Sequence, residues 1–176
     1  MSIATENART AEQASEIGRR LAGKYLTFLL GSEEYGLEIL KVQEIIQMQK
    51  VTKVPNTPHF VRGIINLRGK VIPVIELRKK FDMEAQADTE KTCIIVVRIE
   101  VTSNQMVTMG IIIDDVKEVL DIHEDNIEET PSFGSDTSTD FIMGIGKVGQ
   151  NVKMLLNIDK VLSNSEIQSI SHIAKA

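Results

Sequence analysis

The sequence predicts a mainly β fold assembled from two copies of one small module, and three observations carry that prediction. Apolar residues gather in short runs rich in valine and isoleucine, separated by polar turns, with almost no long helical stripe between them. One stretch, Gly63 to Phe81 (GIINLRGKVIPVIELRKKF), reads as a complete hairpin with its own exit segment. The chain also repeats. A shift of 81 positions carries Phe60-Val61-Arg62-Gly63-Ile64 onto Phe141-Ile142-Met143-Gly144-Ile145, and Leu67, Val71, Val74, Ile75 and Leu77 onto Val148, Val152, Leu155, Leu156 and Ile158, without a gap. Upstream, Tyr35-Gly36-Leu37 and Val42 to Ile46 match Met109-Gly110-Ile111 and Val116 to Leu120 at a shift of 74. The second copy therefore carries seven extra residues, for which the polar segment Ser132 to Thr139 is the natural place. One ancestral module used twice sets the fold class: all-β, as small barrels or sandwiches.

Taken in order, Met1 to Gly23 is polar and short of β-branched residues; it reads as a tail, disordered or carrying one weak helix over Ala8 to Leu21. Lys24 to Leu30 places apolar residues on both alternating faces, which predicts a strand buried on both sides. Gly31 to Glu34 then turns it into a second strand, Tyr35 to Glu38. Ile39 to Ile46 combines a helical spacing (Ile39, Val42, Ile45, Ile46) with β-branched content, so a short helical turn running into a strand is expected. Val51 to His59 holds two prolines and must cross irregularly.

In the hairpin that follows, Gly69 suits a positive φ, and Arg68 stands at the apex facing water. Pro73 lacks an amide hydrogen, which places the second strand at a sheet edge or a bulge. Asp82 to Glu90 is a polar linker. Thr92 to Glu100 and Gln105 to Asp114 repeat the opening hairpin, Asp115 to Leu120 repeats the helical turn, and Asp159 opens a final helix that Glu166 to Ala174 extends. The resulting organisation is a tail over 1–23, a duplicated region over 24–165 with copies at about 24–83 and 91–163, and a C-terminal helix or tail over 166–176.

Composition narrows the function. The chain has 176 residues, 42% apolar, with a net charge of -5, and no basic cluster exceeds Arg78-Lys79-Lys80, which argues against a nucleic-acid surface. The N-terminus has no apolar signal core, and no apolar run approaches the ~20 residues of a membrane span. A single cysteine excludes an internal disulfide and fits a reducing, cytoplasmic location.

Chemistry-bearing motifs have plain structural readings. Gly144-Ile145-Gly146-Lys147-Val148-Gly149 satisfies G-x-G-x-x-G, but a strand resumes after it where the dinucleotide motif needs a helix N-terminus, and Gly144 is simply the repeat partner of Gly63. Cys93 sits inside an apolar run with no basic neighbour to activate it. His59, His123 and His172 are scattered, and the acidic group His123-Glu124-Asp125 with Glu128-Glu129 lacks the ligand order of a calcium loop. No metal, cofactor or catalytic residue is assigned. Arg68 is either a solvated turn residue or an exposed guanidinium able to bind a partner's carboxylate through two parallel bonds. Val42 is a core residue, or a partner contact if the short helical turn is exposed.

The stretches YGLEILKVQEI (Tyr35 to Ile45), VPNTPHFVRGIINLRG (Val54 to Gly69) and VIPVIELRKKF (Val71 to Phe81) resemble the CheW family of bacterial chemotaxis coupling proteins. The resemblance runs from about Lys24 to Ser165. It implies two five-stranded SH3-like β-barrel lobes that share strands. It also implies a cytoplasmic adaptor without catalysis, recruited to membrane-associated receptor arrays, that binds chemoreceptor tips and the regulatory domain of the histidine kinase CheA. The receptor positions it carries over are Val42, Gly63 and Arg68, with Ile39, Glu44, Ile45 and Ile65 as neighbours. Kinase contacts are expected at the open ends of the barrels, without assigned residues. The alternatives are a CheW-type paralogue serving another kinase or a response regulator, and an enzyme on a small β-barrel. The latter has no local cluster of nucleophile, base and orienting group behind it.

Overall fold

The computed structural model describes residues 16–102, 104–132 and 140–175. Its strands are β1 (Gly23–Leu30), β2 (Glu33–Glu38), β3 (Val42–Gln47), β4 (Val61–Leu67), β5 (Lys70–Glu76), β6 (Cys93–Thr102), β7 (Gln105–Ile113), β8 (Asp115–Ile122), β9 (Ile127–Glu128), β10 (Ile142–Val148) and β11 (Asn151–Leu156). They form two sheets, ordered β8-β1-β2-β11-β10-β9 and β3-β6-β7-β5-β4. Each sheet borrows a hairpin from the other copy: β1–β2 joins the later strands, and β6–β7 joins the earlier ones.

The duplication is written into the register. Each borrowed hairpin attaches through a parallel seam, Leu155 opposite Gly36 in one sheet and Val74 opposite Gly110 in the other, and these are repeat-equivalent pairs. Bulges fall at equivalent places too, between Val61 and Gly63 and between Ile142 and Gly144. Where the six-stranded sheet has β9, the five-stranded sheet has a single bridge, Thr52 to Ile64. Each sheet makes one lobe of an SH3-like duplicated β fold, although among the described residues no backbone ladder joins its first strand to its last.

Strand alternation distributes the apolar side chains over three cores. Ile94 and Val96 of β6 face the interior of the five-stranded lobe with Ile65, Ile72, Val74 and Ile112. Ile95, Val97 and Ile99 face the other way, into a large core shared by both lobes with Leu26, Phe28, Leu37, Ile75, Ile111 and Leu156. The six-stranded lobe has its own interior of Leu21, Tyr25, Ile122, Ile127 and Leu155. Thr27 is fully buried but satisfied, donating to the Glu118 carbonyl (2.9 Å) and accepting from its amide (3.2 Å) at the β1–β8 bulge.

Several expectations are corrected. Asp115 begins a strand, not a helical turn. The preceding bend is pinned, with the Asp114 amide donating to Leu29 O (3.1 Å) and its carboxylate accepting from Gly31 N (2.7 Å) and Arg78 Nε (2.8 Å). Pro73 lies in an interior strand between β4 and β7. Its partner Ile64 spends both backbone groups on Thr52, so this is a non-hydrogen-bonded pair and no β4–β5 bond is lost; pairing with β7 starts only at Val74. The final helical region is two pieces, a 3₁₀ turn (Ile158–Lys160) and a helix (Asn164–Lys175), split at Ser163. The Ser163 amide donates to Glu166 Oε1 (2.8 Å) and the Glu166 amide to Ser163 Oγ (3.3 Å), a reciprocal cap that restarts the helix. Ile167 and Ile170 anchor it in the shared core. Of the tail, residues 16–21 are helical; Ala8 to Ser15 and most of Ser132 to Thr139 lie outside the described residues.

Candidate protein-interaction site

The β4–β5 hairpin closes at Leu67 opposite Lys70 through Arg68 (φ 51°) and Gly69 (φ 88°). Positive φ at both central residues is the mirror-image turn that matches strand twist. Asn66 Oδ1 accepts from the Gly69 amide (2.8 Å), tying the turn from below. Arg68 is thereby aimed in one direction. It donates from Nη1 to Glu44 Oε1 (2.8 Å) and from Nη2 to Oε2 (2.6 Å), the two-pronged guanidinium–carboxylate arrangement. That bond raises the Arg68 pKa further, so its charge is fixed.

Glu44 lies on β3 and Arg68 at the end of β4, the two outermost strands of the sheet. Side chains thus close what the backbone leaves open. The Arg68 side chain remains 74% exposed and Glu44 20%. Among the described residues the counterpart lobe shows no such latch: Gly149 stands in place of Arg68, and Lys147 to Glu128 (2.6 Å) joins strands that are already adjacent.

A bulge between Val42 and Glu44 puts Val42 (opposite Val97) and Ile45 (opposite Ile95) on the face that leads into the shared core. Val42 and Ile39 are partly buried against that core, whereas Ile45, on the edge strand, is 45% exposed. Ile39 belongs to the expected turn, a 3₁₀ segment Ile39–Lys41, which Lys41 fastens to Asp159 (2.8 Å). Leu40 in the same turn is 93% exposed. Sequence reasoning passed over it, because an apolar residue between two others at helical spacing reads as core.

Two nominated residues lie inside. Past the bulge, β4 turns Gly63 and Ile65 toward the lobe interior, whereas Val61 packs in the shared core; Ile65 is 3% exposed there, so it meets no partner directly. Gly63 is buried with φ 151°, and a Cβ there would collide with the Thr52 carbonyl oxygen. Its place is to let the 51–59 crossing approach β4. The structure therefore joins Glu44 to Arg68, sets Ile39, Val42 and Ile45 along one margin, and withdraws Gly63 and Ile65 from the surface.

The remaining motifs resolve simply. The G-x-G-x-x-G stretch is β10 and its turn into β11, with Gly149 at φ 62°. Burial, and then the nearby Asp115 charge, push the Cys93 thiol up to about 11. No group of three or more potential metal ligands occurs among the described residues.

These features define a duplicated, SH3-like β module with a one-sided margin of exposed apolar and ion-paired residues. Residues 24–166 match the CheW-like domain, and the chain belongs to that family. It is 38% identical to the chemotaxis protein CheW of Klebsiella aerogenes over 159 residues, covering 90% of this chain and 93% of that one. It is 34% identical to the CheW of Helicobacter pylori over 139 residues, 79% and 81% of the two chains. A crystal structure of the scaffolding protein TtCheW from Thermoanaerobacter tengcongensis superposes with a TM-score of 0.71 at 37% identity, covering 80% of this chain and 92% of that one.

Proposed function

We propose that this protein is a chemotaxis adaptor that couples chemoreceptor signalling tips to the histidine kinase CheA and performs no catalysis of its own. The observation that carries this reading is the family match across 24–166 together with the margin formed by Ile39, Val42, Glu44, Ile45 and Arg68. A helical receptor tip presents an apolar stripe, for which Val42 and Ile45 are the complement, and an acceptor on that tip takes the guanidinium donors that Glu44 leaves unused. Gly63 acts from within by holding the hairpin in place. The kinase's regulatory domain meets the open sheet edges, where the outer strands are paired on one side only and Val119 of β8 is exposed. No described helix is long and apolar enough to cross a membrane, so association with membrane arrays proceeds through the receptors. The test is co-sedimentation of the purified protein with receptor signalling fragments and CheA, with kinase output as readout. Kinase that stays uncoupled when all three are mixed overturns the proposal.

A further inference from the structure

The helical segment 16–21 precedes the family-matched region, which begins at residue 24, and it packs on one lobe only. The reason lies in a difference between the two interiors. In the five-stranded lobe the cross-strand pair Ile65–Ile72 fills the centre, both residues at most 3% exposed. The equivalent pair in the six-stranded lobe is Gly146–Lys153. Gly146 contributes no volume, Lys153 is 6% exposed and sends its ammonium to Glu34, and Thr27 stands where the other lobe has Val96. The missing apolar volume comes from Ile17 and Leu21, packed among Tyr25, Ile122, Ile127, Met143 and Leu155.

The fit is close. A Cβ on Gly144 would lie 2.9 Å from Leu21 Cδ1, and one on Gly18 would collide with the Glu124 carbonyl oxygen. The buried Tyr25 hydroxyl donates to Leu21 O (2.6 Å). Ile17 and Leu21 are the apolar contacts that hold the described segment against this lobe. It runs through Ala22, whose amide donates to Gly18 O (2.8 Å), directly into β1, whose first residue Gly23 has φ 148° and pairs with Ile122.

We propose that the groove of Tyr25, Ile122, Ile127, Met143 and Leu155 is a helix-binding site occupied in cis by Ile17 and Leu21. Its ligand class is a short amphipathic helix with branched apolar residues at i and i+4 and glycine directly after the first. Filled, the groove completes the interior of the six-stranded lobe. Emptied, that lobe loosens, while the five-stranded lobe keeps its own isoleucine interior.

The test is hydrogen exchange on the full chain carrying Leu21→Asp, with Leu21→Ala as the milder variant should the first not fold. Exchange should quicken by about tenfold or more in 118–128 and 142–156 while 61–76 and 93–102 keep wild-type protection. A synthetic peptide of residues 10–22, added in trans to the variant, should restore protection, and the same peptide with Leu21→Asp should not. Equal loosening of both lobes, unchanged exchange, or failure of the wild-type peptide to restore protection would each overturn the assignment.

Discussion

Arg68, at the tip of the β4–β5 hairpin, holds Glu44 on β3 through two parallel bonds, and so links the first and last strands of a sheet that its backbone leaves open. The arginine is placed for this by a left-handed backbone that non-glycine residues seldom adopt. The pair does two things at once. It fixes the curl of one lobe, and it presents a guanidinium with donors to spare beside Val42 and Ile45.

Arg68→Glu should leave the fold intact, since the arginine side chain is 74% exposed at a hairpin tip, yet abolish association with a receptor signalling fragment in a pull-down. The exchange Glu44→Arg with Arg68→Glu restores lobe closure with reversed charge. If the guanidinium itself meets the partner, this double variant also fails to associate. Wild-type association by the folded single variant would remove Arg68 from the surface.

Gly63 makes a different kind of contribution. Gly63→Ala forces a Cβ toward the Thr52 carbonyl at an unfavourable φ, and thermal unfolding should register a loss of roughly 1–3 kcal/mol, larger for Gly63→Val. Gly69→Ala meets nothing within 4 Å and keeps only the backbone penalty, about 1–2 kcal/mol. Equal stability of Gly63→Ala and wild type would contradict the close approach of the crossing.

Much of this was legible in the sequence, and what escaped has physical causes. The repeat offsets predicted strands, hairpins and their equivalence, because burial on alternating faces leaves a period-two pattern. The exchange of hairpins between lobes was not written locally, since parallel seams such as Val74–Gly110 join distant segments. Pro73 suggested an edge because the rule counts amides; the structure shows which flank that amide would have faced. Glu44 appeared as a neighbour of the site, but only three dimensions made it the partner of Arg68. Ile65 looked available because one strand face cannot be told from the other until the bulge at Val61–Gly63 is seen.

Acid should weaken the protein through two carboxylates. Burial pushes the Asp114 carboxyl up, but bonds from Arg78 and the Gly31 amide outweigh it and hold the carboxyl below its usual range. Glu166 is likewise held down, burial being outweighed by Lys80 and Ser163. A depressed folded pKa gives stability that is complete above the unfolded value, about 4, and is lost as pH falls through the folded one. Asp114→Asn should cost about 1–2 kcal/mol at neutral pH, discounted for solvent access, and flatten the acid limb in urea unfolding between pH 2 and roughly pH 5. An unchanged acid limb would show that the Arg78 bonds do not persist in solution.

Lys153 should be replaceable at a gain. Removal from water lowers its pKa, and Glu34 is its one ion-pair partner among the described residues. With the folded pKa below the unfolded one, stability rises as pH climbs through the folded value toward the ordinary lysine range, and Lys153→Met should erase that rise. Replacing a buried ion by an apolar side chain of similar length is often neutral or stabilising by roughly 1–4 kcal/mol, whereas Glu34→Gln strips the ammonium of its counter-charge and should destabilise. Because Lys153 lies on the same strand face as Leu155, methionine there would also supply part of the volume that Leu21 now provides. The combination Lys153→Met with Leu21→Ala should therefore melt above Leu21→Ala alone by more than Lys153→Met raises the wild type. A strictly additive outcome would mean that the lysine and the N-terminal helix do not share one interior.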